Sequence, residues 1–118
     1  MNQGHESTAT GPGHRFRLYG GREVLVDQEG FLLDPTAWSE EVAVEMAREL
    51  GLEMIEETHW VTIRFLREYY FAHGKAPMSH DIKKGTGLSL LEIERLFPGG
   101  LKAGARRLAG LPNPRGCM

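Results

Sequence analysis

Cysteine is nearly absent from this 118-residue chain. One occurs, Cys117, the second-to-last residue. A single cysteine excludes an intramolecular disulfide and any multi-cysteine metal site. Long apolar runs are missing as well. No stretch approaches the roughly 20 apolar residues that a membrane span needs, and no N-terminal run resembles a signal peptide. An excess of positive charge is also lacking: the net charge is −2 at pH 7, whereas nucleic-acid-binding modules are usually basic. A cytoplasmic, reducing location, where a free thiol persists, is the expectation.

What is present describes a single soluble domain, 41% hydrophobic and 25% charged. A chain of this length can bury roughly two-thirds of its unfolded surface. The charge is unevenly spread. From Asp34 to Glu57 there are eight acids against one base, Arg48, which fits a solvated helix face. From Gly99 onward there are four bases, Lys102, Arg106, Arg107 and Arg115, and no acid, and this end carries the thiol.

Residues 1–14 are small, polar and glycine-rich, without periodicity, and are expected to form a disordered N-terminal tail. His5 and His14 there are read as incidental. Next, Phe16 and Leu18 alternate with Arg15 and Arg17, Val24 and Val26 flank Leu25, and Gly20-Gly21 and Gln28-Glu29-Gly30 give turn signals. Two or three short strands, a small antiparallel β-hairpin or meander, are expected, packed by an apolar face on helices.

Helical spacing governs the rest. Thr36 or Ser39 can cap a helix to about Leu50, with Ala43, Met46, Ala47 and Leu50 on one stripe and Gly51 past its end. A longer helix is expected from about Glu57 to His73, burying Trp60, Ile63, Leu66 and Tyr70, with Arg64, Arg67 and Glu68 mainly opposite. His59 and His73 read as structural histidines, since no carboxylate or cysteine constellation surrounds them. Ser79 is expected to cap a short helix from His80 to about Lys84, followed by a Gly85-Thr86-Gly87 turn. Ser89 to Glu92 is a capping box for the next helix. A last helix, Leu101 to about Ala109, buries Leu101, Ala105 and Leu108. The expected fold is therefore mainly α with a small N-terminal β element: an orthogonal helical bundle at 15–110, ending in a flexible C-terminal arm at 111–118.

Residues 79–97 have the outline of a helix-turn-helix pair. Its second helix begins Ser89-Leu90-Leu91-Glu92-Ile93-Glu94-Arg95, and two glutamates there oppose phosphate, so direct DNA binding is not expected. No nucleophilic triad assembles around His59, His73 and His80. Gly20-Gly21 and Gly99-Gly100 lack a phosphate-binding context, and no ligand spacing suggests a metal. No cofactor is expected.

Cys117 remains. Pro112 and Pro114 stiffen the approach to it, and the seven residues from Gly110 to Cys117 span at most about 23–25 Å. Only the thiolate is nucleophilic. The terminal carboxylate should raise its pKa, while Arg115, and Arg106 or Arg107, should lower it. These three arginines are the candidates for docking a partner or stabilising the thiolate.

The run Leu96-Phe97-Pro98-Gly99-Gly100, followed by Ala109-Gly110-Leu111-Pro112-Asn113-Pro114-Arg115-Gly116-Cys117, resembles the C-terminal signature of the DsrC/TusE family of sulfur-relay proteins. Gly30-Phe31-Leu32, Trp38-Ser39-Glu40, His59-Trp60 and Phe65 to Tyr70 are similar to its upstream half, so the resemblance covers about residues 16–118. It implies a helical fold with a β-hairpin and a mobile arm. The second-to-last cysteine would accept sulfur as a persulfide from a donor sulfurtransferase and pass it to an acceptor protein. The destination implied is tRNA thiolation, or sulfur oxidation linked to a sulfite-reductase-like complex. In the DsrC branch a second cysteine lies eleven residues before the last; here that position is Arg106. A disulfide or trisulfide within the chain is therefore impossible, but relay needs only one thiol. Cys117 is thus expected to act in a sulfurtransferase-type carrier rather than a conventional enzyme. The alternative is a non-catalytic regulatory or binding subunit, acting on a sulfite-reductase-like enzyme or DNA through its helical surface.

Overall fold

The computed structural model describes residues 13–113. Two strands open it, β1 (Arg15–Tyr19) and β2 (Arg22–Val26), paired antiparallel with Tyr19 opposite Arg22. Gly20 and Gly21, at φ 57° and 77°, make the two-residue connection, the geometry whose twist matches that of the flanking strands. The third strand of a meander is reduced to one bridge, Val26 to Leu32.

The register decides which face is buried. Arg15, Arg17 and Tyr19 lie opposite Val26, Val24 and Arg22. Tyr19, Val24 and Val26 are buried, while Phe16 and Leu18 are 46% and 68% exposed. The apolar residues of β1 expected to pack inward thus point out. With a side-chain period of two, a strand can bury only one parity, and burying Tyr19 with Val24 and Val26 turns Arg17 to the same side. Arg17 is accommodated by an ion pair with Glu49.

Six helical segments follow among the described residues. A short 3-10 turn, Pro35–Ala37, is capped by Asp34 and leads into α1 (Glu40–Glu49), whose N-cap is Ser39. The buried face of α1 is Val42, Ala43, Met46 and Ala47. Helix α2 (Glu57–His73) has the expected bounds and ends at Gly74. Helix α3 (Ser79–Thr86) starts one residue earlier than expected and runs through the expected turn. Its first turn is held by the Asp81 carboxylate, which accepts the Met78 N–H at 3.0 Å, so Ser79 is not the cap. Gly85 lies within this helix against the Phe65 ring, which a Cβ would strike, so the position requires glycine. Helix α4 (Leu90–Leu96) has the capping box of Ser89 and Glu92. The last segment, α5 (Gly100–Arg106), is wound as a π-helix. Such windings are rare and cluster at functional sites.

One apolar cluster joins hairpin and helices. It includes Tyr19, Val26, Leu32, Met46, Ile63, Leu66, Ile82, Ile93, Phe97, Leu108 and Leu111. No helix among the described residues is long and apolar enough to cross a membrane.

Candidate site at the root of the C-terminal arm

Cys117 and Arg115 lie outside the described residues, as do residues 1–12 of the expected disordered tail. The structure shows how the body holds the beginning of the arm. Leu111, its first residue, is fully buried, and its N–H donates to the Arg106 carbonyl at 3.3 Å. Pro112 and Asn113 are half-buried. The Asn113 amide Nδ2 donates to Asp27 Oδ2 at 3.1 Å and to Glu29 Oε1 at 2.9 Å. The turn after β2 therefore grips the arm. With Asn113 held, the four residues on to Cys117 span at most about 14 Å, well short of a reach counted from Gly110.

Asp27 is prepared for this contact. Its Oδ1 accepts the N–H groups of Glu29 at 2.9 Å and Phe31 at 3.0 Å. Burial pushes the Asp27 carboxyl up. The Phe31 N–H, the Asn113 amide and the N–H groups of Glu29 and Gly30 outweigh burial and hold it below its ordinary value. Asp27 is thus a carboxylate with one oxygen fixed by backbone and the other offered to the arm.

The end of the last helix is clasped from the opposite side. Trp38 Nε1 donates to the Leu108 carbonyl at 2.7 Å. Arg67 Nη1 donates to the Ala109 carbonyl at 2.9 Å, and its guanidinium stacks over Trp38 at 4.2 Å. Helix C-termini leave carbonyls without intrahelical partners, and these two side chains satisfy them. A charged donor contributes about 1.5–3 kcal/mol and a neutral one about 1 kcal/mol. Arg67 was expected mainly on the solvent side of α2. It stands seven residues after Trp60 and four after Ile63, which is the apolar stripe, and its long stem carries the charge to the arm root. Burial pushes the Arg67 guanidinium down from its usual pKa.

Two of the three candidate arginines sit in this assembly. Arg107 Nη2 lies 3.5 Å from Glu49 Oε1, and Glu49 also accepts from Tyr19 Oη at 2.8 Å and pairs with Arg17. Arg107 thus ties the last helix to α1 and the hairpin. Arg106 is only 6% exposed. Its Nη2 donates to the Pro112 carbonyl at 3.4 Å, and its Nε and Nη1 are buried with no hydrogen-bond partner among the described residues. Neither arginine is placed to meet a partner as a free surface charge.

His59 is structural. Its Nδ1 accepts the Glu56 N–H at 3.0 Å, so Nε2 carries the proton toward the Leu96 carbonyl at 3.1 Å, and the ring meets Phe97 edge-on. Among the described residues, no group of three His, Cys, Asp or Glu side chains could hold a metal ion. Sequence reasoning missed Asp27, Trp38, Arg67 and Asn113. A signal existed for Asp27, three residues before Gly30 at the start of a turn, and for Arg67 in its helical phase.

The match to known proteins extends past this root to the chain end. Residues 18–118 match the family model described as DsrC like protein. The chain belongs to the DsrC/TusE family. Among curated relatives, the dissimilatory-type sulfite reductase subunit gamma of Nitratidesulfovibrio vulgaris (strain Hildenborough) is 40% identical over 100 residues, covering 85% of this chain and 95% of that protein. The sulfurtransferase TusE of Salmonella choleraesuis (strain SC-B67) is 35% identical over 108 residues, covering 86% and 98%. The solved structure of dissimilatory sulfite reductase I (DsrI) superposes with a TM-score of 0.82 at 38% identity, covering 88% of this chain and all of that one. This DsrC/TusE protein therefore shares its fold with a solved sulfite reductase protein, DsrI, and is similar over most of its length to proteins named sulfurtransferase TusE and sulfite reductase subunit gamma.

Proposed function

We propose that this DsrC/TusE protein is a cytoplasmic persulfide carrier whose working group is the Cys117 thiolate. The observation that carries this reading is the family match running through residue 118, with Cys117 the only thiol in the chain. The anchored root supports it, because a body that grips Leu111 to Asn113 sets where the residues beyond them start. In the step proposed, the Cys117 thiolate attacks the outer sulfur of a donor persulfide. A bond forms from Cys117 Sγ to that sulfur, and the donor's sulfur–sulfur bond breaks. The donor thiolate leaves with the electron pair, and no outside oxidant is needed. An acceptor thiolate then repeats the step on the loaded arm. The donor is a sulfurtransferase, and the acceptor belongs to tRNA thiolation or to sulfur-oxidation or sulfite-reductase-linked metabolism; the relatives' names, sulfurtransferase and sulfite reductase subunit gamma, support a place in sulfur transfer. Arg115 serves in docking or in holding the thiolate.

Incubation with a persulfidated sulfurtransferase should add the mass of one sulfur atom to the wild type and none to Cys117→Ser. Equal loading of the two would overturn the reading. A second reading, a regulatory or binding subunit, is favoured by one observation. Helices α3 and α4 follow one another in the chain, and Met78, just before α3, and Leu91, in α4, are 65% and 60% exposed. Salt-dependent DNA binding by Cys117→Ala with full function would support it.

A further inference from the structure

The hairpin has one covered edge and one free edge. Beyond β2, the Leu25 carbonyl accepts the Leu33 N–H at 3.1 Å, and the Asp27 N–H donates to the Phe31 carbonyl at 2.9 Å. Leu25 therefore turns its backbone groups away from β1. In an antiparallel pair, opposite residues exchange both hydrogen bonds or neither, in alternation. Phe16, opposite Leu25, is of the second kind, and so is Leu18, opposite Glu23. The N–H and C=O groups of Phe16 and Leu18 thus face away from β2, and no other strand among the described residues pairs with β1. The same two residues carry the exposed apolar side chains of the hairpin. Unpaired backbone in register with apolar side chains is a template for a further strand. A two-stranded ribbon is also the marginal form of a sheet, which a third strand stabilises.

We infer that the free edge of β1 is a docking site for an extended segment of a partner protein in which acidic and apolar residues alternate. The alternation follows from the pleat. A strand laid beside β1 sets one row of side chains next to Phe16 and Leu18, and the other row next to Arg15 and Arg17. The first row must be apolar to cover the exposed pair. The second meets two guanidinium groups. Arg17 is paired with Glu49, whereas Arg15 is exposed and reaches only the Asp27 carbonyl, at 3.5 Å. An acid opposite Arg15 gains a cross-strand ion pair, and a base there is repelled. A second copy of this chain fits less well. The antiparallel register that sets Phe16 against Leu18 of the other copy also sets Arg17 against Arg17, like charges directly opposite. The site lies on the hairpin and does not depend on the carrier reading.

The test is fluorescence anisotropy of a labelled short peptide alternating glutamate and valine, titrated with the full chain. Binding should saturate, and a peptide alternating lysine and valine should bind at least about tenfold more weakly. Methylating alternate peptide nitrogens removes the donors on one side of the added strand. One of the two alternate sets should abolish binding and the other should leave it. Leu18→Pro removes an edge donor that the β1–β2 ladder does not use, and should weaken binding at least about tenfold. Arg15→Glu should reverse the preference toward the lysine peptide, and it decides the matter if Leu18→Pro does not fold. Equal affinity of the wild type for the two peptides, indifference to both methylated sets, or no binding of either peptide overturns the site. Dimerisation of the wild type in sedimentation, abolished by Leu18→Pro, would make a second copy the occupant and overturn the acidic partner.

Discussion

Asn113 and Asp27, 86 residues apart in sequence, are joined by a hydrogen bond from the Asn113 amide to Asp27 Oδ2 at 3.1 Å. This contact makes the turn after β2 the clamp of an arm that begins at the far end of the chain. It converts an arm counted from Gly110 into a shorter one counted from Asn113.

Breaking the clamp should lengthen the arm without unfolding the body. Because Cys117 is the only thiol, a fluorophore attached there reports arm mobility directly. Asn113→Ala should lower its anisotropy at a stability cost of about 1 kcal/mol. Asp27→Ala also orphans the Glu29 and Phe31 N–H groups and should cost about 2–3 kcal/mol. The pH dependence has a defined sign. The Asp27 carboxyl is held below its ordinary value of 3.8 in the fold, so its contribution is complete above that value. The contribution is lost as pH falls from there through the folded pKa. Anisotropy should stay flat from pH 7 to 5 and drop below about 3.8 while helical circular dichroism persists. Unchanged anisotropy in Asn113→Ala would exclude the clamp.

Gly110 closes the other side. It has φ +72°, and an added Cβ would run into the Trp38 indole that holds the Leu108 carbonyl. Gly110→Ala should cost about 3 kcal/mol and lower Tm by more than about 10 °C. Gly74 has the same φ sign but open space around it. Gly74→Ala should cost only about 1 kcal/mol. Equal losses by denaturant titration would show that backbone strain, not the Trp38 contact, makes Gly110 necessary.

His59 provides a control for chemistry. His59→Ala leaves the Glu56 N–H and the Leu96 carbonyl without their partner and should cost about 2–3 kcal/mol. Sulfur loading of Cys117, measured by mass spectrometry per folded molecule, should not change. A loading defect in a folded His59→Ala protein would make the histidine part of the transfer chemistry.

The sequence by itself determined the helices whose signals are local. The Ser89 capping box, the stripe of α1 and the bounds of α2 are set by residues within four positions of one another, and so is the hairpin turn at Gly20-Gly21. It also determined that there is one thiol. Tertiary structure decided the rest. Spacing along β1 shows that Phe16 and Leu18 alternate with arginines. Which parity is buried depends on packing Tyr19, Val24 and Val26 against α1. Gly85 is a turn signal by sequence, yet it lies inside α3, where its missing side chain makes room for Phe65 of another helix. Above all, Asp27, Trp38, Arg67 and Asn113 lie far apart in the chain and become a site only when the hairpin, α1, α2 and the arm meet. The same packing encloses the Arg106 cation at the root of the arm. Short-range rules read propensity and caps; they carry no information on which distant carbonyl or carboxylate a side chain will reach.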